Sequence, residues 1–73
     1  MQKNDLTLPG KFMDACVAKD QDKALRLAKL MAKQHNCSFK AELNMLYFDA
    51  TVLPSKYSYP MTSMVKELRK HEA

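Results

Sequence analysis

A cysteine nucleophile or a zinc site would draw on the cysteine and histidine side chains, which are Cys16, His35, Cys37 and His71. His35 and Cys37 stand one residue apart, and an imidazole beside a thiol is the pairing that cysteine nucleophiles use. Residues so close along the chain rarely align as base and thiolate, and no third group that would orient His35 is evident. Zinc sites need a second ligand pair at a regular spacing, which the sequence lacks. We therefore predict no catalytic residue, no metal and no cofactor, in a protein that is not an enzyme.

Composition excludes further classes of function. Gly10 is the only glycine, whereas a loop that cradles phosphate needs several. Two cysteines without a secretory leader indicate reduced thiols, so we expect an intracellular protein, cytoplasmic or nuclear. The longest apolar stretch, AELNMLYFDATVL, is interrupted by polar residues and is too short to span a bilayer. We predict no association with a membrane.

A basic stripe recurs at intervals of three, three and four residues and consists of Lys23, Arg26, Lys29 and Lys33. Residues 22–36 carry a net charge of +3, out of +4 for the whole chain. Together with Lys40, the stripe is a candidate surface for nucleic-acid binding, which would be independent of sequence and sensitive to salt. The solvated face of an amphipathic helix has the same spacing. Both interpretations stay open.

Helix formers dominate the chain, and β-branched residues are scattered. The 73 residues are sufficient for one domain, which we predict to be an all-α, antiparallel four-helix bundle built on an N-terminal αα-hairpin. Pro9 suits the opening turn of the first helix, Asp20 or Asp22 can cap the second, Ser38 can cap the third, and Pro60 opens the last. The predicted helices cover about 9–19, 22–35, 38–53 and 60–71, after a flexible segment at 1–7.

Apolar residues at helical spacing predict the inner faces. In the second helix they form the stripe Ala24, Leu27, Ala28 and Met31, and in the last the set Met61, Met64, Val65 and Leu68. In the third helix the inner stripe is Phe39, Leu43, Leu46, Tyr47 and Ala50. Met45, Phe48 and Val52 lie off that stripe, so we predict that they form an exposed apolar patch. Tyr57 and Tyr59, in the loop predicted before the last helix, complete the candidate partner-binding set.

Residues 12–31 carry a family resemblance. Phe12 and Ala15-Cys16 are followed after six residues by Lys23-Ala24-Leu25 and then by Leu27. This pattern resembles the C-terminal helical region of the replisome adaptor family that includes acidic nucleoplasmic DNA-binding protein, and it is also similar to a pentatricopeptide-type hairpin. The resemblance covers about twenty residues and implies a helical hairpin that helps to bind short peptide motifs of replication proteins.

The sequence thus favours a small interaction or adaptor module. It would bind a partner helix or peptide, or self-associate, through an apolar face that contains methionine. The alternative is a nucleic-acid-binding or regulatory protein that uses the basic stripe. The expected partners are accordingly a protein or a second copy of the chain, or a nucleic acid.

Overall fold

Two N-terminal helices form a hairpin, α1 at Lys3–Val17 and α2 at Gln21–Gln34. They belong to a computed structural model that describes the backbone of residues 3–71 and the side chains of residues 8–71. Asp20 caps α2, because its Oδ1 accepts a hydrogen bond of 3.2 Å from the backbone N–H of Lys23. That cap was one of the two predicted, and it is confirmed.

Helix α1 begins six residues earlier than predicted and contains Pro9 in its interior. A proline there has no N–H to donate to the carbonyl of Asp5, four residues before it, which normally disfavours the position. The side chain of Leu8 is buried on the same face as Phe12, one turn later, and this burial favours continuing the helix through Pro9. Of the segment predicted to be flexible, residues 3–7 form the first turns of α1, and residues 1–2 lie outside the described residues.

Helix α3 spans Phe39–Thr51. Its start is confirmed, because Ser38 Oγ accepts a hydrogen bond of 3.0 Å from the N–H of Ala41. The helix ends two residues earlier than predicted, before Pro54, as expected from the bias of a residue that precedes proline away from helical backbone angles.

Helix α4 spans Ser55–Leu68, so the loop predicted before Pro60 is wrong. Pro54 is the N-cap residue, and its carbonyl accepts hydrogen bonds of 2.9 Å from the N–H groups of Tyr57 and Ser58. Pro60 lies inside the helix rather than at its start. A 3₁₀ turn, Arg69–His71, continues α4 to the end of the described chain.

The four helices enclose one core. Helix α1 packs against α2 and α4, and α3 packs against the same two helices, which is the arrangement of a small antiparallel four-helix bundle. The predicted all-α fold class is confirmed, and residues 3–71 contain no strand. The predicted inner faces of α2 and α4 are buried, and the core is completed by Leu8, Phe12, Ala15, Cys16, Leu43, Leu46 and Ala50. In residues 3–71 no helix is both long enough and apolar enough to cross a membrane.

The α1–α2 turn places a lysine in left-handed backbone geometry. Lys19 has φ 60°, its N–H donates to the carbonyl of Cys16 at 3.1 Å, and the N–H of Asp20 donates to the carbonyl of Ala15 at 2.9 Å. These two bonds define a Schellman motif, in which glycine is the favoured residue at the left-handed position. Asn36, with φ 57°, occupies the same position after α2.

Glycine at position 19 should stabilise the fold. Relief of left-handed strain, about 1–2 kcal/mol, is partly offset by the greater entropy that glycine loses on folding, so we expect Lys19→Gly to gain ~0.5–1 kcal/mol. Urea unfolding followed by circular dichroism measures the change. Asn36→Gly is the matched control and should gain less, because asparagine tolerates this geometry. A midpoint for Lys19→Gly at or below that of the wild type would contradict the assignment.

Candidate functional site

Helix α3 is apolar on two opposite faces. Leu43, Leu46 and Ala50 are buried in the core. Successive residues of a helix are about 100° apart, so Phe48 points away from that buried face. Met45 and Val52 lie next to Phe48 on the same outer side of the helix. These three side chains, here called the outer stripe, expose 53% (Met45), 69% (Phe48) and 73% (Val52) of their surface. The predicted apolar patch on α3 is therefore present as a row on the solvent side.

The fold itself does not use the outer stripe. A bundle helix needs one apolar face to bury against its neighbours, and the face opposite is ordinarily polar. Of the other large apolar side chains that are exposed in the described part of the chain, Val17, Leu30 and Tyr59 lie singly on α1, α2 and α4. Tyr47 is on α3 and is 37% exposed, so its predicted place on the inner stripe is wrong. Single exposed apolar residues are common, but a contiguous row is typical of an interaction site.

The two tyrosines do not join the outer stripe, so the structure brings together three of the five predicted partner-binding residues. Because α4 begins at Ser55, Tyr57 and Tyr59 are helical and point about 200° apart. Tyr57 is half-buried, and Lys56 Nζ lies 5.2 Å from the centre of its ring. Tyr59 is exposed and lines an open groove of about 480 Å³ between α1 and α4, to which no residue of α3 contributes.

The basic stripe of α2 is exposed at Lys23, Arg26, Lys29 and Lys33, and Lys40 is exposed on α3. Lys29 Nζ lies 5.8 Å from the centre of the Phe39 ring, a distance at which a cation and an aromatic face attract each other. Leu30 is exposed on the same side of α2. The stripe thus carries an apolar side chain among its charges, and Lys29 interacts with an aromatic ring of α3.

A buried carboxylate joins the end of α2 to the start of α3. Glu42 Oε1 accepts hydrogen bonds from His35 Nδ1 at 2.8 Å and from Cys37 Sγ at 3.4 Å. The side chain of Glu42 is 2% exposed, whereas that of His35 is 51% exposed. The carboxylate of Glu42 is therefore internal rather than on the helix surface, and its two donors satisfy it.

This cluster suppresses the chemistry that a cysteine nucleophile needs. Desolvation, the hydrogen bond to Glu42 and the negative charge of Glu42 all raise the pKa of the Cys37 thiol. The thiolate is the reactive form of cysteine, so Glu42 acts against nucleophilic catalysis at Cys37. Among the described side chains, those of residues 8–71, no group of three or more histidine, cysteine, aspartate or glutamate residues is arranged to hold a metal ion.

His35 should matter more for stability than a half-exposed residue usually does. Its removal leaves the buried Glu42 carboxylate with the Cys37 thiol as its remaining side-chain donor. We expect His35→Ala to lower the free energy of unfolding by ~1–2 kcal/mol, as charged groups do when a buried partner is lost. Thermal or urea unfolding measures it. Adding Glu42→Gln should recover part of the loss, because the amide carries no buried charge, and strict additivity of the two changes would contradict the coupling.

The Cys16 thiol should be almost inert in the folded protein. Burial raises its pKa from 9.0 to about 12, so at pH 8 the thiolate fraction is roughly 10⁻⁴, a thousand times below that of an ordinary thiol. We expect alkylation of native Cys37→Ser protein to be slower than that of the unfolded chain by about this factor. The raised pKa also predicts that stability falls as the pH rises from 9 toward 12. Equal alkylation rates in buffer and in urea would contradict both statements.

Sequence reasoning missed Glu42 although a signal was present. Glu42 follows Phe39 by three residues and precedes Leu46 by four, so it belongs to the inner stripe of α3. A charged residue at such a position indicates a partner close by, and the chain offers His35 and Cys37 just before α3. The sequence positions of His35, Cys37 and Glu42 do not indicate catalysis. The cluster links the end of α2 to the start of α3.

Comparison with known proteins adds no relative. No family model matches the chain, and no curated protein or solved structure matches it. The resemblance of residues 12–31 to the replisome adaptor family or to a pentatricopeptide-type hairpin stays a prediction.

Proposed function

We propose that this protein is a small helical interaction module that binds a partner helix or peptide through the outer stripe of α3. The observation that carries the proposal is the second apolar face of α3, which the bundle leaves exposed. An amphipathic helix or peptide that lies along such a row buries it at regular helical intervals. Met45 suits this role because its flexible side chain adapts to different partner surfaces.

The size of the outer stripe sets the expected affinity. Three side chains of this kind expose on the order of 350 Å², and burying this chain's side of the interface alone contributes roughly 9 kcal/mol at about 25 cal/mol per Å², before the partner's surface and the cost of association are counted. That cost is about 4–15 kcal/mol, so the stripe alone supports weak and reversible binding. Polar contacts around it would add specificity.

Nucleic-acid binding is the second candidate, and the exposed basic stripe of α2 favours it. Its four cations are on one side of one helix, and Asp22 is the acidic residue in the same segment. If all four neutralised phosphates, the logarithm of the affinity would fall with the logarithm of the salt concentration with a slope of about −3.6. Lys40 would extend the contact onto α3.

Titration of two fluorescent probes compares the candidates. One probe is a designed amphipathic helix of about 18 residues with an apolar stripe, and the other is a DNA duplex of about 20 base pairs. We expect the peptide to bind more tightly than the duplex at physiological salt, and the double variant Lys29→Glu with Lys33→Glu to leave peptide binding intact. Tighter binding of the duplex, abolished by the double variant, would overturn the proposal in favour of the second candidate.

A further inference from the structure

The groove between α1 and α4 combines a buried apolar base with exposed apolar sides. Cys16 and Met64 line it and are buried, so they form its base. Val17 lines it from α1 and Tyr59 from α4, and both of these side chains are exposed. Its volume of about 480 Å³ is within the ~300–1,000 Å³ of small-molecule sites, which are mainly apolar with a few polar groups. The groove therefore has the size and the lining of a site for a small molecule.

One charge on the lining of this groove has no partner in the described part of the chain. The Lys19 side chain lines the groove and makes no hydrogen bond or ion pair with a described residue. The other charged residue of the lining is Glu67, whose Oε1 lies 3.2 Å from Lys70 Nζ, so this carboxylate is paired. Gln21 and Ser63 add neutral polar groups. The groove therefore presents a net positive charge, which favours an anionic ligand.

The backbone at Lys19 is a second, independent observation. Its φ of 60° is costly for lysine, and glycine is the residue most often found at this position of a helix end. After α2 the same position is taken by Asn36, which tolerates the geometry and does not line the groove. Residues with strained backbones concentrate at binding sites. A lysine in left-handed geometry beside the groove is therefore better explained by its charge than by the turn.

We propose that the groove between α1 and α4 binds a small molecule with an aromatic body and one anionic group, and that Lys19 pairs with the anion. The aromatic body lies over Cys16 and Met64, with the Tyr59 ring beside it, because aromatic rings attract each other in offset or edge-to-face arrangements. The anion lies against Lys19 Nζ. This site is separate from the outer stripe of α3, so it goes beyond the proposed function.

Naphthalene carboxylate and the corresponding neutral amide test the proposal, because they share one aromatic body and differ in charge. Nuclear magnetic resonance titration of the labelled full chain measures both dissociation constants and locates the signals that shift. We expect shifts at Val17, Tyr59 and Ser63, with dissociation constants on the order of 1 mM for ligands of this size. The carboxylate should bind about 3-fold more tightly than the amide at low ionic strength, and added salt should reduce the difference.

Substitutions at Lys19 separate its charge from its backbone strain. Lys19→Gly should remove the preference for the carboxylate although it raises the urea midpoint of the protein, so a damaged fold cannot explain the loss. Lys19→Arg keeps the charge and should keep the preference. Lys33→Gln is the matched control, because it removes the same charge ~18 Å along α2 from Gln21, and it should also keep the preference. Tyr59→Ala should weaken binding of both probes.

The results either support or overturn the proposal. A preference that is lost in Lys19→Gly but kept in Lys19→Arg and Lys33→Gln supports it. Equal binding of the carboxylate and the amide, or a preference that survives in Lys19→Gly, would overturn the assignment of Lys19 as the anion's partner. Shifts at Met45, Phe48 and Val52 instead of the groove, or no shifts with either probe up to ~5 mM, would overturn the site itself.

Discussion

Phe12→Ala should leave most of the protein unfolded at 25 °C. The Phe12 side chain is fully buried between α1 and the rest of the core, and it is among the largest side chains with no exposed surface. Replacing such a residue with alanine costs about 3–5 kcal/mol through lost burial and the cavity left behind. A core in a chain of this size rarely supplies more than ~3–5 kcal/mol of net stability, so the cost of this one substitution is at least as large as the stability of the fold.

Circular dichroism with urea titration measures this loss. Val17→Ala is the matched control, because Val17 lies in the last turn of the same helix and is exposed. We expect that variant to unfold within ~0.5 kcal/mol of wild type, as exposed sites usually do. Cooperative unfolding of Phe12→Ala at a midpoint close to wild type would mean that α1 is not held by the core as described.

Phe48→Asp should abolish binding of a helical partner while preserving the fold. The Phe48 ring is 69% exposed in the free protein, so a carboxylate there stays in water and costs the monomer little. In a complex the same carboxylate would be buried in an apolar interface without a partner, which is expensive. We expect a loss of at least ~2 kcal/mol, which is about thirty-fold in the dissociation constant.

Leu30→Asp provides the control for this prediction. Leu30 is also an exposed apolar residue, but it lies on α2 among the basic side chains. The same chemical change at that position should leave peptide binding and helix content as in the wild type. Equal losses of binding in both variants would indicate that net charge, rather than the outer stripe, controls association.

Sequence reasoning predicted those parts of the fold that local chemistry determines. Helical spacing of apolar residues identified the buried faces of α2 and α4, and the oxygen-bearing side chains of Asp20 and Ser38 identified two helix starts. It failed at prolines. Pro9 and Pro60 were interpreted as first helical residues, but both lie inside helices. Tertiary packing, such as the burial of Leu8, outweighs the local cost of a proline, and no pattern near the proline reveals it.

The candidate site was likewise predicted only where local spacing determines it. Met45, Phe48 and Val52 follow from the period of α3, whose N-terminal start was correctly placed. Tyr57 and Tyr59 were predicted in a loop, but both belong to α4, where they lie on different sides of the helix. The hydrogen bond between Glu42 and His35 was not predicted because it depends on how the α2–α3 turn folds back, which spacing alone does not specify.

Nuclear magnetic resonance titration of the isotopically labelled protein with the designed amphipathic helix shows which helix of the bundle binds it. If α3 binds a partner through the outer stripe, amide and methyl signals of Met45, Phe48 and Val52 should shift most, with Lys40 and Asn44 next. Signals from α2, including Arg26 and Lys33, should change little. Shifts concentrated on α2, or spread evenly over the bundle, would contradict the assignment of α3 as the interaction surface.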